Sequence, residues 1–475
     1  MVWAILITME KLITVILFIV SCHAFGQRPL PYSLSGYIKL ESGKYTLPVN
    51  FSMDMGDTDI TIEGVAGKTV ITSYDGTPAT DFKPKELDTN VADTFSNGLY
   101  VVANHPYISY GGGYAHLKLT YNTGGQVVFY TMGTILKKEN GIWSRHYTGF
   151  GFRTKGNITV KNVIFDNCQF YLFSPFGQTI SDRFQLINCT FKNVSRVLSS
   201  ITYAGIDHKP DWYNSLNYYN VFGNLRFKSF EIKDCTFEKI HTSIVWGVPP
   251  SENIMVSGNV IKDCSTMISA FNLFIKYYGN ENYFSDKISQ VITGNTFLNI
   301  RSSQNWQTAL IRTSGMANVS NNNFIDCTPQ IAFMYGENSQ FNNNIVKKFN
   351  TASEIQSPVI MVKSVTGLSS FQGNIVNAPN SIFIALEGSS SCSIYGNTIT
   401  AKTMYSRVDN TNSTGYLKAT GNTLQCATVT NLSSKNPTSF KTVDVSGNTM
   451  ISPIYQHTGI TTIANYFYNN NSIIQ

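Results

Sequence analysis

The residues of this sequence best suited to chemistry lie in two segments, 201–228 and 271–287. The first segment contains three candidates for acid–base chemistry, Asp207, His208 and Asp211. A glycosidase needs two carboxylates roughly 5–9.5 Å apart, and a lyase needs a base together with a cation that neutralises a uronate. We therefore predict Asp207, His208 and Asp211 as catalytic residues, on the grounds of their location alone.

Aromatic and cationic side chains accompany these candidates in both segments. Aromatic rings stack on sugar rings, and cations bind sugar hydroxyls or uronates. The alternative is that such long loops only pack on their own aromatic side chains. The predicted substrate-binding residues are Lys209, Trp212, Tyr213, Tyr218, Tyr219, Lys276, Tyr277, Tyr278 and Arg301.

Composition limits the partners that this chain is expected to bind. Only 13% of its 475 residues are charged, and the formal net charge is +6. Such a charge density argues against a nucleic-acid partner and is compatible with an acidic polysaccharide. No stretch of the sequence places three or four carboxylates together as a calcium site would, so we expect neither a metal nor a cofactor.

The strands that must position these residues are specified by a short sequence motif that occurs twelve times and is here called the phrase. It consists of an apolar residue, any residue, Gly, Asn or Asp, then an Asn or Cys anchor, any residue and an apolar residue. It recurs at intervals of roughly 20–30 residues, with two longer intervals that contain the segments above. The anchors are Cys168, Cys189, Cys235, Asn259, Asn295, Asn322, Asn344, Asn374, Asn397, Asn422, Asn448 and Asn471.

Each position of the phrase has a structural task. The apolar residues three before and two after the anchor are expected to point inward. The Gly, Asn or Asp before the anchor belongs to the types that enter the left-handed region at least cost, so the chain should bend there. The anchors should stack as an asparagine ladder about 4.8 Å apart, with Cys on the first three rungs. We expect the cysteines to be buried free thiols, although Cys168 and Cys189 are close enough in this scheme to consider a disulfide.

This pattern resembles the right-handed parallel β-helix of the pectate-lyase-like superfamily. The resemblance implies an all-β fold, a single-stranded parallel β-helix (solenoid) with an N-terminal cap. The phrase covers roughly two thirds of the chain. The catalytic blocks of polygalacturonases and calcium pectate lyases are absent from the sequence. The resemblance therefore predicts the fold and carries over no mechanism.

The repeat also predicts where the two long segments leave the solenoid. Counting from the anchors places both after the same strand of the coil, separated by the single coil that contains Val248 to Pro250. They should therefore project from one edge and form a wall or a cleft.

The N-terminus has the features of a secretory signal. Lys11 precedes an apolar run, and small residues Ala24 and Gly26 suit cleavage near Gly26. Lipidation at Cys22 is the alternative, since Ile-Val-Ser-Cys resembles a bacterial lipobox. We predict a signal peptide over 1–26, an N-terminal cap with first coils over 27–150 and the β-helix over 151–475. No later apolar run is long enough for a transmembrane segment.

Two functions are compatible with this sequence. The first is a secreted bacterial β-helix protein that binds, and as a lyase or glycosidase cleaves, an extracellular polysaccharide. The second is a non-catalytic glycan-binding or adhesive surface protein. The C-terminal end of the helix would expose unpaired backbone, so we expect it to be either blunted by the turn at Asn469 to Asn471 or covered by a partner subunit in a homo-oligomer.

Overall fold

We describe the fold from a computed structural model of the chain. Every element in the described residues is a β-strand, and no helix there has the length and apolarity needed to cross a membrane. The described residues are 27–29, 36–46, 52–54, 59–72, 93–94, 100–101, 118–121, 127–130, 134–139, 142–147, 149–153, 156–166, 168–174, 179–202, 225–246, 251–264, 270–273, 289–301, 309–314, 316–328, 330–335, 338–348, 358–364, 367–388, 391–407, 416–431, 442–451, 456–458 and 465–474.

The chain is a parallel β-solenoid, as the repeat predicts. One 14-stranded parallel sheet, here called sheet 1, contains one strand from each coil, and we number the coils 1 to 14 by these strands. The strands are Gly36–Lys39, Ile60–Glu63, Ile158–Lys161, Thr179–Ile187, Leu225–Lys233, Ser251–Ser257, Ser289–Thr293, Met316–Ser320, Gln340–Asn342, Leu368–Gln372, Ser391–Tyr395, Tyr416–Thr420, Thr442–Val445 and Asn465–Phe467.

A second, 23-stranded sheet forms the other two faces of the coils. We call its two rows row 2, which follows the bend after sheet 1, and row 3, which follows row 2. Row 2 begins with Gln27–Pro29, and its later strands are Gly43–Thr46, Thr69–Thr72, Ile164–Asp166, Thr190–Thr202, Thr236–Trp246, Val260–Lys262, Thr296–Leu298, Asn323–Cys327, Ile345–Lys348, Ile375–Gly388, Thr398–Arg407, Thr423–Asn431, Thr449–Ile451 and Ser472–Ile474.

Some row 2 strands are long enough to continue through row 3, namely Thr190–Thr202, Thr236–Trp246, Ile375–Gly388, Thr398–Arg407 and Thr423–Asn431. The separate strands of row 3 are Ser52–Asp54, Gly149–Arg153, Gln169–Ser174, Phe271–Asn272, Ala309–Ser314, Gln330–Tyr335, Ile360–Ser364 and Gln456–Thr458. Coils 1 to 13 are therefore three-faced, and the described part of coil 14 contains the sheet 1 and row 2 strands.

The N-terminal segment joins the solenoid directly. Ile60–Glu63 pairs in register with Ile158–Lys161, so coils 1 and 2 continue the same sheet as the later coils. Coil 2 carries a long insertion between row 2 and row 3. This insertion contains three antiparallel strand pairs, Asp93–Thr94 with Tyr100–Val101, Lys118–Tyr121 with Val127–Tyr130, and Thr134–Glu139 with Ile142–Tyr147. The expected cap stays a prediction, and the expected signal peptide lies outside the described residues.

The asparagine ladder is present from coil 6 onward. The side-chain amide of each anchor from Asn259 through Asn448 donates to Oδ1 of the next anchor at 2.8–3.3 Å. The same oxygen accepts the backbone N–H of the preceding anchor, as between Asn295 and Asn322 at 2.9 Å. Backbone groups freed by the bend are thus satisfied inside the core, where an unpaired one would be costly.

The bend residues before the anchors from Cys189 onward adopt the predicted conformation. Each has a positive φ, between 50° at Asn188 and 68° at Gly447. Three residues before the anchor, the inward apolar side chains from Leu186 to Val445 are fully buried. The positions two after the anchor are also buried through Met450, whereas Ile473 in coil 14 is 59% exposed. Stacked rings fill part of this core, with Phe165 and Phe191 4.8 Å apart.

The expected first rung was wrong. Ile164 is in register with Thr190, so the residue stacked on Cys189 is Val163, five residues before Cys168. Cys168 instead occupies a second bend, where Cys264 and Cys327 recur five residues after their anchors. That second bend also uses left-handed residues, at Asp263, Asn299 and Asp326. Because both bends use the same residue types, the sequence alone did not distinguish them.

At the two remaining Cys rungs, Cys189 and Cys235, the thiol bonds to backbone groups as the Asn side chain does on the later rungs. The Cys235 thiol donates to the Leu186 carbonyl oxygen at 3.5 Å, and its sulfur accepts the Cys189 backbone N–H at 3.4 Å. All seven cysteines of the described residues are free and buried, which confirms the expected thiols. Val163 has no polar side-chain atom, so the ladder begins at Cys189.

Candidate functional site

The predicted catalytic residues lie outside the described part of the chain. The same is true of every predicted substrate-binding residue except Arg301. The residues concerned are Asp207, His208, Lys209, Asp211, Trp212, Tyr213, Tyr218, Tyr219, Lys276, Tyr277 and Tyr278. Their roles stay predictions, whereas the strands that flank them are described.

The flanking strands show that both insertions leave the solenoid at the same corner. Residues 203–224 follow the row 3 part of Thr190–Thr202 and precede the sheet 1 strand of coil 5. Residues 274–288 follow the row 3 strand Phe271–Asn272 and precede the sheet 1 strand of coil 7. The connection 247–250 of coil 5 lies between them. The predicted common edge is therefore confirmed for the points at which the insertions begin and end.

Row 3 carries a group of side chains beside the second insertion that the sequence did not suggest. Asn272 is the register partner of Arg312, and the Leu273 N–H donates to the Arg312 carbonyl oxygen at 2.8 Å. Arg312 in turn is the register partner of Phe333, which pairs with Met361. The strand that carries Arg312 is thus the immediate neighbour of the strand from which residues 274–288 depart.

Alternation of burial shows which side chains of row 3 face outward. Ile311 and Thr313 are fully buried, whereas Arg312 between them is half-buried. On the next strand Ala332 and Met334 are buried, and Phe333 and Tyr335 are half-buried. In a strand successive side chains point to opposite faces. Arg312, Phe333 and Tyr335 therefore lie on the outer face.

We call the outer group Arg312, Phe333, Tyr335 and Lys363 the row 3 patch. The guanidinium carbon of Arg312 lies 5.1 Å from the centroid of the Phe333 ring. Such an arrangement is attractive by roughly 0.5–2 kcal/mol and holds the guanidinium in place. Tyr335 is in register with half-buried Lys363, which is in turn in register with Glu387. The patch combines two cations with two aromatic rings on adjacent strands.

This combination suits a sugar polymer with acidic groups. A planar guanidinium can bind a carboxylate through two parallel hydrogen bonds, and aromatic faces stack on pyranose rings. Sequence reasoning missed the patch because its residues come from three coils and carry no motif. Neither Ala309–Ser314 (ALIRTS) nor Gln330–Tyr335 (QIAFMY) alternates apolar with polar residues, so the sequence of these strands gave no signal for the patch.

Arg301, the one predicted site residue that is described, lies at the other end of row 3. It precedes strand Ala309–Ser314, whereas the insertions follow row 3 strands. Its backbone N–H donates to the Cys264 carbonyl oxygen at 2.9 Å. Its guanidinium donates to the carbonyl oxygens of Ile300 and Asp326. These contacts tie coil 7 to coils 6 and 8, and a substrate contact for Arg301 stays a prediction.

The buried cysteines of the described region are poor nucleophiles. Burial raises the pKa of the Cys264, Cys327 and Cys426 thiols to about 12. It also raises the pKa of Cys235 and Cys392. The thiolate is the reactive form, so these groups are inert near neutral pH. Across the described ranges, no group of three or more His, Cys, Asp or Glu side chains could hold a metal ion.

Comparison with known proteins adds no assignment. No protein-family model matches the chain, and no curated protein sequence matches it.

Proposed function

We propose that this protein is secreted and binds an extracellular acidic polysaccharide along row 3, beside the two insertions. The observation that carries the proposal is the placement of Arg312 over the Phe333 ring, with Tyr335 on the same strand as Phe333 and Lys363 on the next strand. An extended row of parallel strands presents such groups at intervals of about 4.8 Å, which suits a polymer better than a small molecule.

The position of the second insertion supports the same proposal. Residues 274–288 contain the predicted sugar-binding residues Lys276, Tyr277 and Tyr278, and they leave the solenoid next to Arg312. The first insertion, with Asp207, His208 and Asp211, begins two coils earlier at the same corner. In this proposal the patch binds the polymer and the insertions supply any acid–base chemistry.

Affinity electrophoresis in gels that contain polygalacturonate or alginate tests the binding. Arg312→Ala and Phe333→Ala should each raise Kd at least tenfold. The first variant removes the guanidinium that binds a carboxylate of the polymer, and the second removes the ring that holds this guanidinium in place. Lys262→Ala is the matched control, because Lys262 is a row 2 cation paired with Glu238 at 3.2 Å. Failure of the wild-type protein to bind any polyanion, or an equal loss in the control, would refute the proposal.

A second candidate function is a glycan-binding or adhesive protein without catalysis. Release of reducing sugar or of unsaturated product from polyuronates by the wild-type protein, compared with Asp207→Ala and Asp211→Ala variants, distinguishes the two. Polymer binding without any release would favour the adhesive protein. Release that the variants abolish would favour a lyase or glycosidase.

Self-association through coil 14 is a further part of the proposal. Phe467, Ile473 and Ile474 are each about half exposed there, at 46%, 59% and 53%. Large exposed apolar side chains on neighbouring strands favour association. Light scattering of the full chain and of an Ile473→Asp variant tests this, and a monomeric wild-type protein would contradict it.

Export is tested by fractionation, where retention inside the cell would contradict secretion.

A further inference from the structure

The outer face of sheet 1 changes character along the solenoid. In coils 2 to 5 it carries charged residues such as Glu63, Lys161 and Glu231, and Lys161 pairs with Glu63 at 3.0 Å. In coils 9 to 13 the outward positions are mostly Asn, Gln, Ser and Thr. The charged residues in this part are Lys418 and Asp444, which are register partners of opposite sign. The later part of the face therefore carries no net charge.

Two tyrosines stand out from this polar surface. Tyr395 in coil 11 is 52% exposed and Tyr416 in coil 12 is 40% exposed. The Tyr395 ring lies against Gly421 of the next coil, where an added Cβ would come within 3.2 Å of the ring carbon Cε2. Glycine at this bend thus leaves room for the ring to rest on the neighbouring coil. This contact positions the ring while about half of its surface stays accessible.

We propose that the outer face of sheet 1 in coils 9 to 13 is a second binding surface, which takes a neutral polysaccharide. Accessible aromatic rings can stack on the apolar faces of pyranose rings. Amide and hydroxyl side chains both donate and accept hydrogen bonds, as sugar hydroxyls do. A surface without net charge gives no electrostatic preference for a polyanion.

The shape of the surface determines the size of the ligand. Sites for small molecules are concave and enclose most of the ligand. Here the strands form an open face of a parallel sheet with buried neighbours at every second position, as at Leu417 and Ala419 on either side of Lys418. An extended or insoluble polymer can contact several coils of such a face, whereas a single sugar cannot. The occupant is therefore a polymer chain.

This surface is separate from the row 3 patch. It belongs to the other sheet, and its binding does not depend on the proposed function of row 3. The two surfaces together would let one molecule bind a neutral polymer and an acidic polymer at once.

The test uses the full chain with microcrystalline cellulose and chitin in pull-down assays, and with glucomannan in affinity gels. The wild-type protein should bind at least one of these neutral polymers, and binding should persist at about 1 M salt because no ion pair is involved. Tyr395→Ala combined with Tyr416→Ala should raise Kd at least tenfold. Tyr37→Ala is the matched control, since Tyr37 is an exposed tyrosine on sheet 1 in coil 1.

A second variant keeps both rings and blocks the surface between them. Ser393 is two residues from Tyr395 and in register with Lys418, so Ser393→Arg should also weaken binding at least tenfold. Circular dichroism checks that each variant folds. No binding of the wild-type protein to any of the three polymers would overturn the proposal, as would an equal loss in Tyr37→Ala. Arg312→Ala should leave neutral-polymer binding intact, so a failure here is distinguishable from a failure of row 3.

Discussion

Asn322 is bonded to Asn344 through its side-chain amide, which donates to the Asn344 Oδ1 at 3.0 Å. The same Asn322 amide donates to the Ile292 carbonyl oxygen at 2.9 Å, and the Asn344 Oδ1 also accepts the Asn322 backbone N–H at 2.9 Å. One side chain thus connects three coils in the buried core.

Replacement of Asn322 by Ala should be among the most destabilising single changes in the solenoid. It removes the side-chain bonds and leaves buried backbone groups without partners, at about 1–3 kcal/mol for each unsatisfied group. We expect a loss of about 3 kcal/mol in the free energy of unfolding, measured by denaturant titration. Asn323→Ala is the control, because Asn323 is on the outer face and should change the stability by less than about 0.5 kcal/mol.

Replacement of Cys235 by Ala should cost less than the Asn322 change. Its sulfur makes bonds of 3.4 Å and 3.5 Å to backbone groups, and thiols are weak hydrogen-bond partners. We expect a loss of about 1–2 kcal/mol, mostly from the small cavity. The same denaturant titration measures it. A loss as large as that of Asn322→Ala would show that the Cys rungs are equivalent to Asn rungs.

Gly64→Ala should damage the junction of coils 2 and 3. An added Cβ would meet the Asn162 carbonyl oxygen at 2.6 Å, the Thr69 Cβ at 2.8 Å and the Val163 Cγ2 at 2.9 Å. These neighbours are backbone and buried side chains that cannot move independently, so we expect about 2–3 kcal/mol of destabilisation. At Gly67 nothing lies within 4 Å of an added Cβ. Gly67→Ala is therefore destabilised only by the φ of +69°, a backbone conformation that alanine rarely adopts. The Gly67 variant should lose about 1 kcal/mol, and a larger loss than in Gly64→Ala would contradict the steric explanation.

The buried thiols should make the stability of the protein fall at alkaline pH. Burial raises the pKa of Cys264 and Cys327 from 9.0 to about 12. The folded protein therefore holds protons that the unfolded chain releases above pH 9. Stability should be independent of these thiols below pH 8 and fall as the pH rises from about 9 to 12, by at most about 1.4 kcal/mol per unit for each thiol.

Thermal unfolding between pH 7 and about pH 10.5 checks this expectation. A Cys264→Val, Cys327→Val variant should lose less stability over the alkaline interval than the wild-type protein. The native thiols should also resist alkylation at pH 8 and react once the chain is unfolded in denaturant. Rapid alkylation of the native protein would contradict their burial.

The amino-acid sequence was sufficient to predict the parallel solenoid, the inward apolar positions and the asparagine ladder. Each of these depends on residue types within a few positions of one bend, where Gly, Asn and Asp adopt positive φ and the following Asn bonds to the freed backbone. Every repeat contains these residue types at the same positions. The same residue types also occur at a second bend of the coil. Cys168 belongs to that second bend, which is why its prediction as the first rung of the ladder was wrong.

The tertiary structure decided which residues from different coils become neighbours. Arg312, Phe333 and Met361 form one column on row 3, and Tyr395 lies over Gly421 on sheet 1, although no sequence interval relates them. Their separation in sequence depends on the length of every intervening loop, since loops can be inserted without changing the strand register. The register of the stacked strands, fixed by backbone hydrogen bonds and by the buried side of each strand, therefore determined the outer surfaces where we place binding.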